Sequence, residues 1–571
     1  MTYSFILHTP KSKITLPFSL YDKAGTATAG GVDVTLKTSA VAENITLYEL
    51  TAHGAGKCFF SLYGKGDGKL FSFNDVCTEE HVFRQSPHDP ELYLFAMDGS
   101  AVPMIAAVSG GATDIFISDE PSHCDNYTTQ HIIPERGEFY LSSGDPGGAP
   151  NYTKWREDTR ETKNEPYYHD ISAKPHVYRF IAVKSAAETA KGIRRDAFCA
   201  IEKTWGTGSD SIYRAMCFGA NYMHIRKNET KTSEKWVVAG IQYANTQYDR
   251  DSFWQTMILS PEIERQSYLA HTENSVKCAE NALFYVIWSY RVFKNGGEVN
   301  RPLLEFALAK IESGLNVVGD GRYCPPGNPD GSFRNWFDIC CFEKDDADAY
   351  SQGLCVCALR AAKELGYDVG DRYEKARAYY RAMFNGKFVP LSMKKQYFAL
   401  DYSIGDLVHF LLFCEKLLPD EQVRATYSRI MNSRAKTPYG TKIVSAPDGE
   451  YLPIEAFGAY GKVHPEMARL DLGRYANGGS YHIYEMLFHI AAYIHGADGA
   501  LDNMIWRLFI DLDFDGTTHE YMHTLKGNGV KQNQGWNAAI YAIWETLCAR
   551  GDADPRFFEA AEQKLKTIDL S

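Results

Sequence analysis

The first third of the chain alternates apolar and polar positions with a period of two residues. The clearest alternating runs lie at residues 14–20, 32–36, 92–94 and 115–117. Clusters of Gly, Asp, Asn and Pro separate such runs, at residues 64–69, 109–111 and 142–151. Short alternating runs between turn residues are typical of antiparallel strands. The pattern predicts a β-sandwich domain over residues 1–185.

From about residue 186 the apolar period changes to 3.6 residues, which is typical of amphipathic helices. The clearest apolar stripes lie at residues 276–290, 404–412, 483–494 and 536–547. Roughly twelve such segments follow one another without convincing strands and without a repeat of fixed length. Helices joined by loops of uneven length favour a ring of helical hairpins over a regular solenoid. The prediction is a helical domain over residues 186–571.

Composition narrows the class of protein. The 571 residues are 44% hydrophobic and 23% charged, which is a globular balance. The net charge is -12 and no basic stripe is visible, so nucleic acid is not an expected partner. No run of about 18 apolar residues and no export signal occurs, which predicts no membrane partner. The 13 scattered cysteines, including the adjacent Cys340 and Cys341, predict reduced thiols and a cytoplasmic protein.

Two polar segments interrupt the helical pattern near its start. In residues 247–254, Asp249 and Asp251 flank Arg250 and an aromatic pair follows. Asp251 or Ser252 could instead cap the next helix.

The second segment, residues 334–338, places Asp338 directly after Trp336 and Phe337. These rings would partly desolvate the Asp338 carboxyl, raise its pKa and suit it to act as a general acid. The alternative is a solvated loop in which Asp338, Asp345, Asp346 and Asp348 include caps of the following helix.

Two further segments lie near the end of the chain. In residues 474–481, Gly478 and Gly479 allow backbone to approach a ligand closely, or form only a turn. The segment His519-Glu-Tyr-Met-His523 permits two chemistries. Glu520 could be a base that activates water, or His519 and His523 could bind zinc, with Glu545 as a third ligand. Gly516 and residues 527–529 leave little room for the helix that the zinc pair needs, which favours the first interpretation.

Taken in order, these segments resemble the trehalase and processing α-glucosidase families of the six-hairpin glycosidases. Residues 250–254 look like the first signature of these families, whose Asp binds sugar. Residues 336–338, with the later helix that contains Tyr350 and Gln352, resemble the segment with the general acid. The remaining similar segments are the turn at 477–479, the base segment at 519–521 and the Gly-Trp motif at 534–537.

The resemblance implies an (α/α)6 barrel that hydrolyses a glycosidic bond without a cofactor. Asp338 would be the general acid and Glu520 the general base of an inverting, exo-acting enzyme with a carbohydrate substrate. The residues expected to bind substrate are Arg250, Asp251, Trp254, Trp336, Tyr350, Gln352, Asn477 and Trp536. Alternatives are a sugar phosphorylase on the same fold, a zinc metalloprotease that uses His519, Glu520 and His523, and a non-catalytic carbohydrate-binding protein. The oligomeric state is not predicted.

Overall fold

A computed structural model describes the chain in segments. These are residues 1–72, 84–85, 93–94, 104–119, 130–133, 136–145, 150–155, 158–163, 166–223, 225–227, 235–238, 248–277, 279–325, 327, 333–334, 341–457, 472–532 and 534–568. Antiparallel sheets occupy the N-terminal part and helices the C-terminal part, as predicted. The chain divides into two compact units, one of residues 1–246, 533–535 and 569–571, the other of residues 247–532 and 536–568. The predicted boundary after residue 185 stays a prediction.

Strands dominate the first unit. They are β1 (Thr2–Thr9), β2 (Ser12–Thr15), β3 (Ala24–Ala29), β4 (Val32–Ala42), β5 (Ile45–Gly54), β6 (Lys57–Lys65), β7 (Lys69–Ser72), β8 (Arg84–Gln85), β9 (Tyr93–Leu94), β10 (Met104–Ser109), β11 (Ala112–Ser118), β12 (Gln130–Ile133), β13 (Glu138–Ser142), β14 (Pro150–Trp155), β15 (Asp158–Lys163), β16 (His169–Asp170), β17 (His176–Ser185), β18 (Ile225–Lys227) and β19 (Lys235–Val237). Helices α1 (Ala190–Trp205) and α2 (Ile212–Tyr222) follow β17.

Two antiparallel sheets share one hydrophobic core. Their strand orders are β2-β1-β6-β13-β12-β9-β8, with β16 on β6, and β3-β4-β5-β17-β11-β10-β7. In β4 the residues Val32, Val34 and Leu36 are buried while their neighbours face away, which is the predicted period of two. The alternation at residues 14–20 predicts a longer strand than the structure has. Strand β2 ends at Thr15, because Pro17 has no N–H for a ladder.

Helices dominate the second unit. They are α3 (Asp249–Gln255), α4 (Pro261–Leu269), α5 (Ala279–Lys294), α6 (Arg301–Asn316), α7 (Ala349–Glu364), α8 (Arg372–Ala382), α9 (Ile404–Phe413), α10 (Asp420–Met431), α11 (His482–Ile494), α12 (Ala500–Asp515), α13 (Ala539–Arg550) and α14 (Arg556–Thr567). The strands are β20 (Phe333–Arg334), β21 (Cys341–Phe342), β22 (Phe398–Ala399), β23 (Lys436–Thr437), β24 (Gly440–Thr441), β25 (Val444–Ser445), β26 (Ser480–Tyr481), β27 (His519–Met522) and β28 (Gly529–Gln532). Short 3-10 helices lie at Ser275–Lys277, Leu400–Ser403, Ile454–Phe457 and Gly535–Ala538.

Alternate helices of the second unit contact one another in series. Helix α3 contacts α5, and the series continues through α7, α9 and α11 to α13. The remaining helices pack beside this series: α4 and α6 on α5, α8 on α7, α10 and α12 on α11, and α14 on α12. Helices α7 and α9 approach closely at Gly353 and Gly405, where a Cβ on Gly405 would lie 2.1 Å from the Gly353 carbonyl carbon. No helix in the described segments is both long and apolar enough to cross a membrane.

Candidate functional site

Helix α3 contains the first candidate segment. It begins at Asp249, with Tyr248 at the N-cap position and no capping side chain. Asp249 and Asp251 lie in the first turn, where carboxylates interact favourably with the helix dipole. Asp251 is buried, so it is not a solvated cap. The structure therefore does not support the interpretation of Asp251 or Ser252 as the helix cap.

Two carboxylates hold the guanidinium of Arg250. Its Nη2 lies 2.9 Å from Asp251 Oδ2, and its Nη1 lies 3.2 Å from Glu280 Oε1. Glu280 lies in the first turn of α5, the helix that contacts α3. The guanidinium carbon lies 4.9 Å from the centroid of the Trp536 ring, a cation–π contact. Three of these residues, Arg250, Asp251 and Trp536, are among the predicted ligands of the sugar.

Aromatic residues from α7, α11 and the 3-10 helix at Gly535–Ala538 surround the carboxyls of this cluster. The Tyr350 hydroxyl, on α7, donates a 2.6 Å hydrogen bond to Glu280 Oε1. The rings of Tyr350 and Tyr484 meet edge to face at 6.2 Å, and Tyr484 meets Trp536 in the same way at 5.7 Å. The structure thus brings the predicted residues Tyr350 and Trp536 into one cluster with Arg250 and Asp251.

Glu520 lies on the middle strand of a small antiparallel sheet, β26-β27-β28. Its side chain is nearly inaccessible, at 4% exposed. Asn537 fixes the strand, because its Nδ2 donates to the carbonyl of His519 at 2.8 Å. The charge of Glu520 acts on Asp251 and raises the pKa of that carboxyl. The predicted base and the predicted sugar-binding Asp therefore belong to the same electrostatic cluster.

The buried carboxyls of the cluster have raised pKa values. Burial is the largest cause for Asp251, Arg250 lowers its pKa, and the charge of Glu520 raises it. Burial likewise raises the pKa of Glu280 more than Arg250 and Tyr350 lower it, and the charge of Asp251 adds to the rise. Among the described residues, the cluster contains three carboxyls, Asp251, Glu280 and Glu520, and one guanidinium, Arg250. Such perturbed groups are typical of functional sites.

A second buried charge cluster lies directly behind the strand of Glu520. Asp511, on α12, accepts a 2.5 Å hydrogen bond from His482 Nδ1 and contacts His519 Nδ1 at 3.2 Å. Arg507 forms two ion pairs, from Nη1 to Asp511 Oδ2 at 2.7 Å and from Nε to Glu485 Oε2 at 2.8 Å. Because His519 precedes Glu520 in β27, this cluster ties the strand of the predicted base to α11 and α12.

Three other predicted ligands of the sugar lie in structural positions. Trp254 packs edge to face on Phe253 and Phe284 and is 1% exposed. The Gln352 amide donates to the carbonyls of Gly321 and Ala376 and accepts from the N–H of Tyr323, so it ties the loop at residues 321–323 to helix α8. Asn477 closes a turn, because its backbone N–H donates to the Arg474 carbonyl. Trp254 and Gln352 thus contact neighbouring protein groups, and their sugar-binding roles stay predictions.

The predicted general acid Asp338 and its neighbour Trp336 lie outside the described residues. Downstream of them, Asp348 is the N-cap of α7 and accepts from the Ser351 N–H at 2.9 Å. Asp346 accepts from the Ser392 hydroxyl, and Asp345 pairs with Lys394. Asp348 therefore caps the next helix, as the alternative interpretation of the sequence predicts for one or two of these aspartates.

The segment His519-Glu-Tyr-Met-His523 is a strand rather than a helix. Strand β27 covers His519–Met522 and pairs with β26 and β28. A zinc pair at this spacing requires one helical turn between the two imidazoles. Both ring nitrogens of His519 face carboxylates. Nδ1 lies 3.2 Å from Asp511 Oδ1, and Nε2 lies 3.2 Å from Asp515 Oδ2. Glu545 is exposed on α13. These positions disfavour the metalloprotease alternative.

Sequence analysis missed Glu280 and Tyr484. Glu280 was hidden because α5 is apolar all round, with residues 282–288 completely buried, so the apolar stripe gave no sign of a functional face. A usable signal exists, since a carboxylate at the start of an all-apolar helix must find a buried partner. Tyr484 lies within the stripe of α11 and offers no such signal.

The solved structures compared with this chain below are remote likenesses. No protein-family model and no curated protein matches the sequence. A solved structure of the GH63 mannosylglycerate hydrolase from Thermus thermophilus is 10% identical, with a TM-score of 0.39, over 58% of this chain and 100% of that one.

An uncharacterized conserved protein of the same organism is 11% identical, with a TM-score of 0.27, over 62% of this chain and 92% of that one. A putative kojibiose phosphorylase from the human microbiome is 8% identical, with a TM-score of 0.22, over 94% and 78%. Likenesses at these TM-scores establish neither the fold nor the activity of this chain.

Proposed function

We propose that the chain is a glycoside hydrolase whose site is the cluster around Arg250. The observation that supports this is the convergence of Arg250, Asp251, Tyr350 and Trp536, four residues predicted from three separate sequence motifs, together with the electrostatic effect of the buried Glu520 on Asp251. Carboxylates and a guanidinium bind sugar hydroxyls, and aromatic rings stack on apolar ring faces. The same groups are the parts that glycosidic hydrolysis needs.

The proposed architecture extends the observed helix pairing. The six helices that contact one another in series, α3, α5, α7, α9, α11 and α13, would form the inner ring of an (α/α)6 barrel. The six helices beside them would form its outer ring. Arg250, Glu280, Tyr350, Tyr484 and Trp536 all lie at or just before the start of inner-ring helices. Side chains from one end of each inner helix would then meet at one mouth of the ring. The first unit would be a β-sandwich that packs on its own core.

The proposed mechanism is inverting. Asp338 donates a proton to the leaving oxygen while Glu520 removes one from a water that attacks the anomeric carbon from the opposite face. The two carboxyls should then lie about 6.5 to 9.5 Å apart, so that the water fits between them. Arg250 and Asp251 bind hydroxyls of the terminal sugar, and a pocket closed by loops gives exo action.

The excess of acidic groups favours water over phosphate as the second substrate. Among the described residues of the cluster, Asp251, Glu280 and Glu520 together outnumber Arg250. Burial raises the pKa of Asp251 and Glu280, and the charge of a neighbouring carboxylate adds to each rise. Phosphate would add negative charge beside these carboxylates, which is unfavourable in a buried site. A neutral sugar instead supplies hydroxyl donors for their oxygens. We therefore place a hydrolase with an uncharged glycone ahead of a phosphorylase.

A panel of aryl glycosides and oligosaccharides, each assayed with and without phosphate, tests this function. We expect turnover on at least one glycoside that phosphate does not accelerate, and NMR of the first product should show the inverted anomer. Activity that needs phosphate would replace the hydrolase by a phosphorylase. No turnover on any glycoside would overturn the proposal.

Substitution of the two carboxyls tests their roles. Glu520→Gln and Asp338→Asn should each lower kcat by at least about 100-fold, because a general base or acid contributes that much or more. Glu545→Gln is the matched control, since Glu545 is exposed on α13 and should leave kcat unchanged. Full activity of Glu520→Gln would refute the assignment of the base, and chelator-sensitive activity lost in Glu545→Gln would support zinc chemistry.

A further inference from the structure

Glu280 has the contacts of a residue that positions Arg250. Its two oxygens lie 3.2 and 3.3 Å from Arg250 Nη1, on the side of the guanidinium away from the Nε contact with Asp251. The Tyr350 hydroxyl holds Oε1 from α7. Among the described residues, Asp251 and Glu280 are the carboxylates that contact Arg250. Glu280 thus fixes the end of Arg250 that Asp251 does not hold.

The position of the guanidinium depends on this second carboxylate. Asp251 follows Arg250 in the same helix, so it moves with it and cannot alone fix the guanidinium relative to other helices. Glu280 belongs to α5 and Tyr350 to α7, so their contacts tie Arg250 to two neighbouring helices. The same contacts keep the guanidinium over the Trp536 ring. Loss of the Glu280 charge would weaken the contact that holds Nη1 of the guanidinium to α5.

We propose that Glu280 is a positioning residue of the sugar-binding subsite, which acts by holding the Arg250 guanidinium over the Trp536 ring so that Arg250 binds the hydroxyls of the glycone. This inference rests on the proposed glycosidase function and extends it to a residue outside the sequence motifs. Since Glu280 acts through Arg250 on binding, its loss should affect KM more than kcat.

Glu280→Gln is the main test, in the full-length protein and on the aryl glycoside that the wild type turns over best. The amide keeps the size of the side chain and an acceptor for Tyr350, but it replaces the ion pair with Arg250 by a hydrogen bond to a neutral oxygen. KM should rise by about tenfold while kcat changes by less than about threefold. Tyr350→Phe, which removes a neutral donor and no charge, should raise KM by a smaller factor.

The chain offers a closely matched control in Glu264. Glu264 Oε1 accepts from Arg291 Nε at 2.6 Å, and the Arg291 guanidinium stacks on Phe253 at 4.3 Å. This buried Arg–Glu pair has the same chemistry as the pair of Arg250 and Glu280. Arg291 also donates to the carbonyl of Phe253 in α3, so Glu264→Gln loosens the same helix without touching Arg250. Glu264→Gln should lower stability and leave KM unchanged.

A double-mutant cycle separates positioning from direct binding. If Glu280 acts through Arg250, Glu280→Gln should add almost nothing to Arg250→Lys, and the KM of the double variant should match that of Arg250→Lys within about threefold. Additive effects on KM would mean that Glu280 acts independently of Arg250, and would overturn the inference. An equal rise of KM in Glu264→Gln would overturn it too, because the effect would then be general loosening of α3.

The two levels of proposal fail differently. Turnover by the wild type with an unchanged KM in Glu280→Gln would end the inference about Glu280 and leave the glycosidase standing. Absence of turnover by the wild type on every glycoside would overturn both. If Glu280→Gln does not fold, Tyr350→Phe is the deciding variant. An unchanged KM in Tyr350→Phe would show that the hydrogen bond from Tyr350 to Glu280 does not help to position Arg250, and would overturn the inference.

Discussion

Asp511→Asn is expected to destabilise the second unit strongly. Asp511 is completely buried and accepts from Arg507, His482 and His519, so its carboxylate is the common partner of three donors. Asparagine keeps the shape but removes the charge, and among the described residues Glu485 is then the carboxylate left to pair with Arg507. Breaking a buried ion pair on one side costs about 3 to 5 kcal/mol, because the remaining charge stays buried. We expect a loss of that size in the free energy of unfolding at pH 7.

The same substitution should change how stability depends on pH. Burial alone would raise the pKa of Asp511, but Arg507 and the two histidines together lower it well below its ordinary value. A carboxyl with a lowered pKa in the folded state stabilises the protein above its unfolded pKa, near 3.9, and loses that contribution as pH falls further. The wild type should therefore lose more stability than Asp511→Asn between about pH 4 and pH 2, and the two should converge.

Urea unfolding followed by tryptophan fluorescence, at a series of pH values, measures both effects. Asp513→Asn is the control, because Asp513 lies on the same helix, pairs with Lys564 and has a side chain that is 60% exposed. Exposed pairs of this kind contribute about 0 to 1 kcal/mol. Equal stabilities of Asp511→Asn and the wild type at pH 7 would refute the view that this cluster anchors the strand of Glu520.

Two further predictions concern packing. Gly405→Ala should lower the free energy of unfolding by more than about 2 kcal/mol in urea titrations, because its Cβ would strike the Gly353 backbone where α7 and α9 cross; an unchanged midpoint would contradict the described contact. Among Cys355, Cys357 and Cys414, iodoacetamide should label Cys414 first in the native protein, as read by peptide mass spectrometry, since Cys414 is exposed and burial raises the thiol pKa of the other two; early labelling of Cys355 would count against the buried helix α7.

The element types of the helical region could be predicted because its apolar stripes are long. The stripe at residues 276–290 corresponds to α5, that at 404–412 to α9 and that at 483–494 to α11. Their ends were less accurate. The stripe at 536–547 starts too early, since Trp536 lies in a 3-10 turn and α13 begins at Ala539. The apolar period continues through this turn, so periodicity does not detect the start of the helix.

The sequence motifs name the residues proposed for the site but do not give the directions of their side chains. Tyr350 and Gln352 were both expected to bind sugar, yet residues two apart on a helix point to nearly opposite sides. Tyr350 contacts Glu280, whereas Gln352 contacts the loop at Gly321 and helix α8 at Ala376. Motif resemblance names both residues, and only the helix geometry separates them.

Two buried arginine clusters of the second unit, around Arg507 and around Arg250, contain similar residues but differ in the pKa values of their carboxyls. Around Arg507, the contacts with Glu485, Asp511 and the carbonyl of Ser480 engage the whole guanidinium, and the pKa values of both carboxyls are lowered in spite of burial. His482 and His519 supply further donors there, so both oxygens of Asp511 accept hydrogen bonds. That cluster has the properties of a structural anchor.

Around Arg250, in contrast, burial raises the pKa values of Asp251 and Glu280 in spite of the guanidinium beside them. Burial that partners do not offset makes an ionised carboxyl costly in the folded chain. Hydroxyl donors of the proposed substrate would lower that cost, because hydrogen bonds to the charged form favour it. Stability alone therefore accounts for the cluster around Arg507, whereas the cluster around Arg250 fits the proposed binding of a polyhydroxylated substrate.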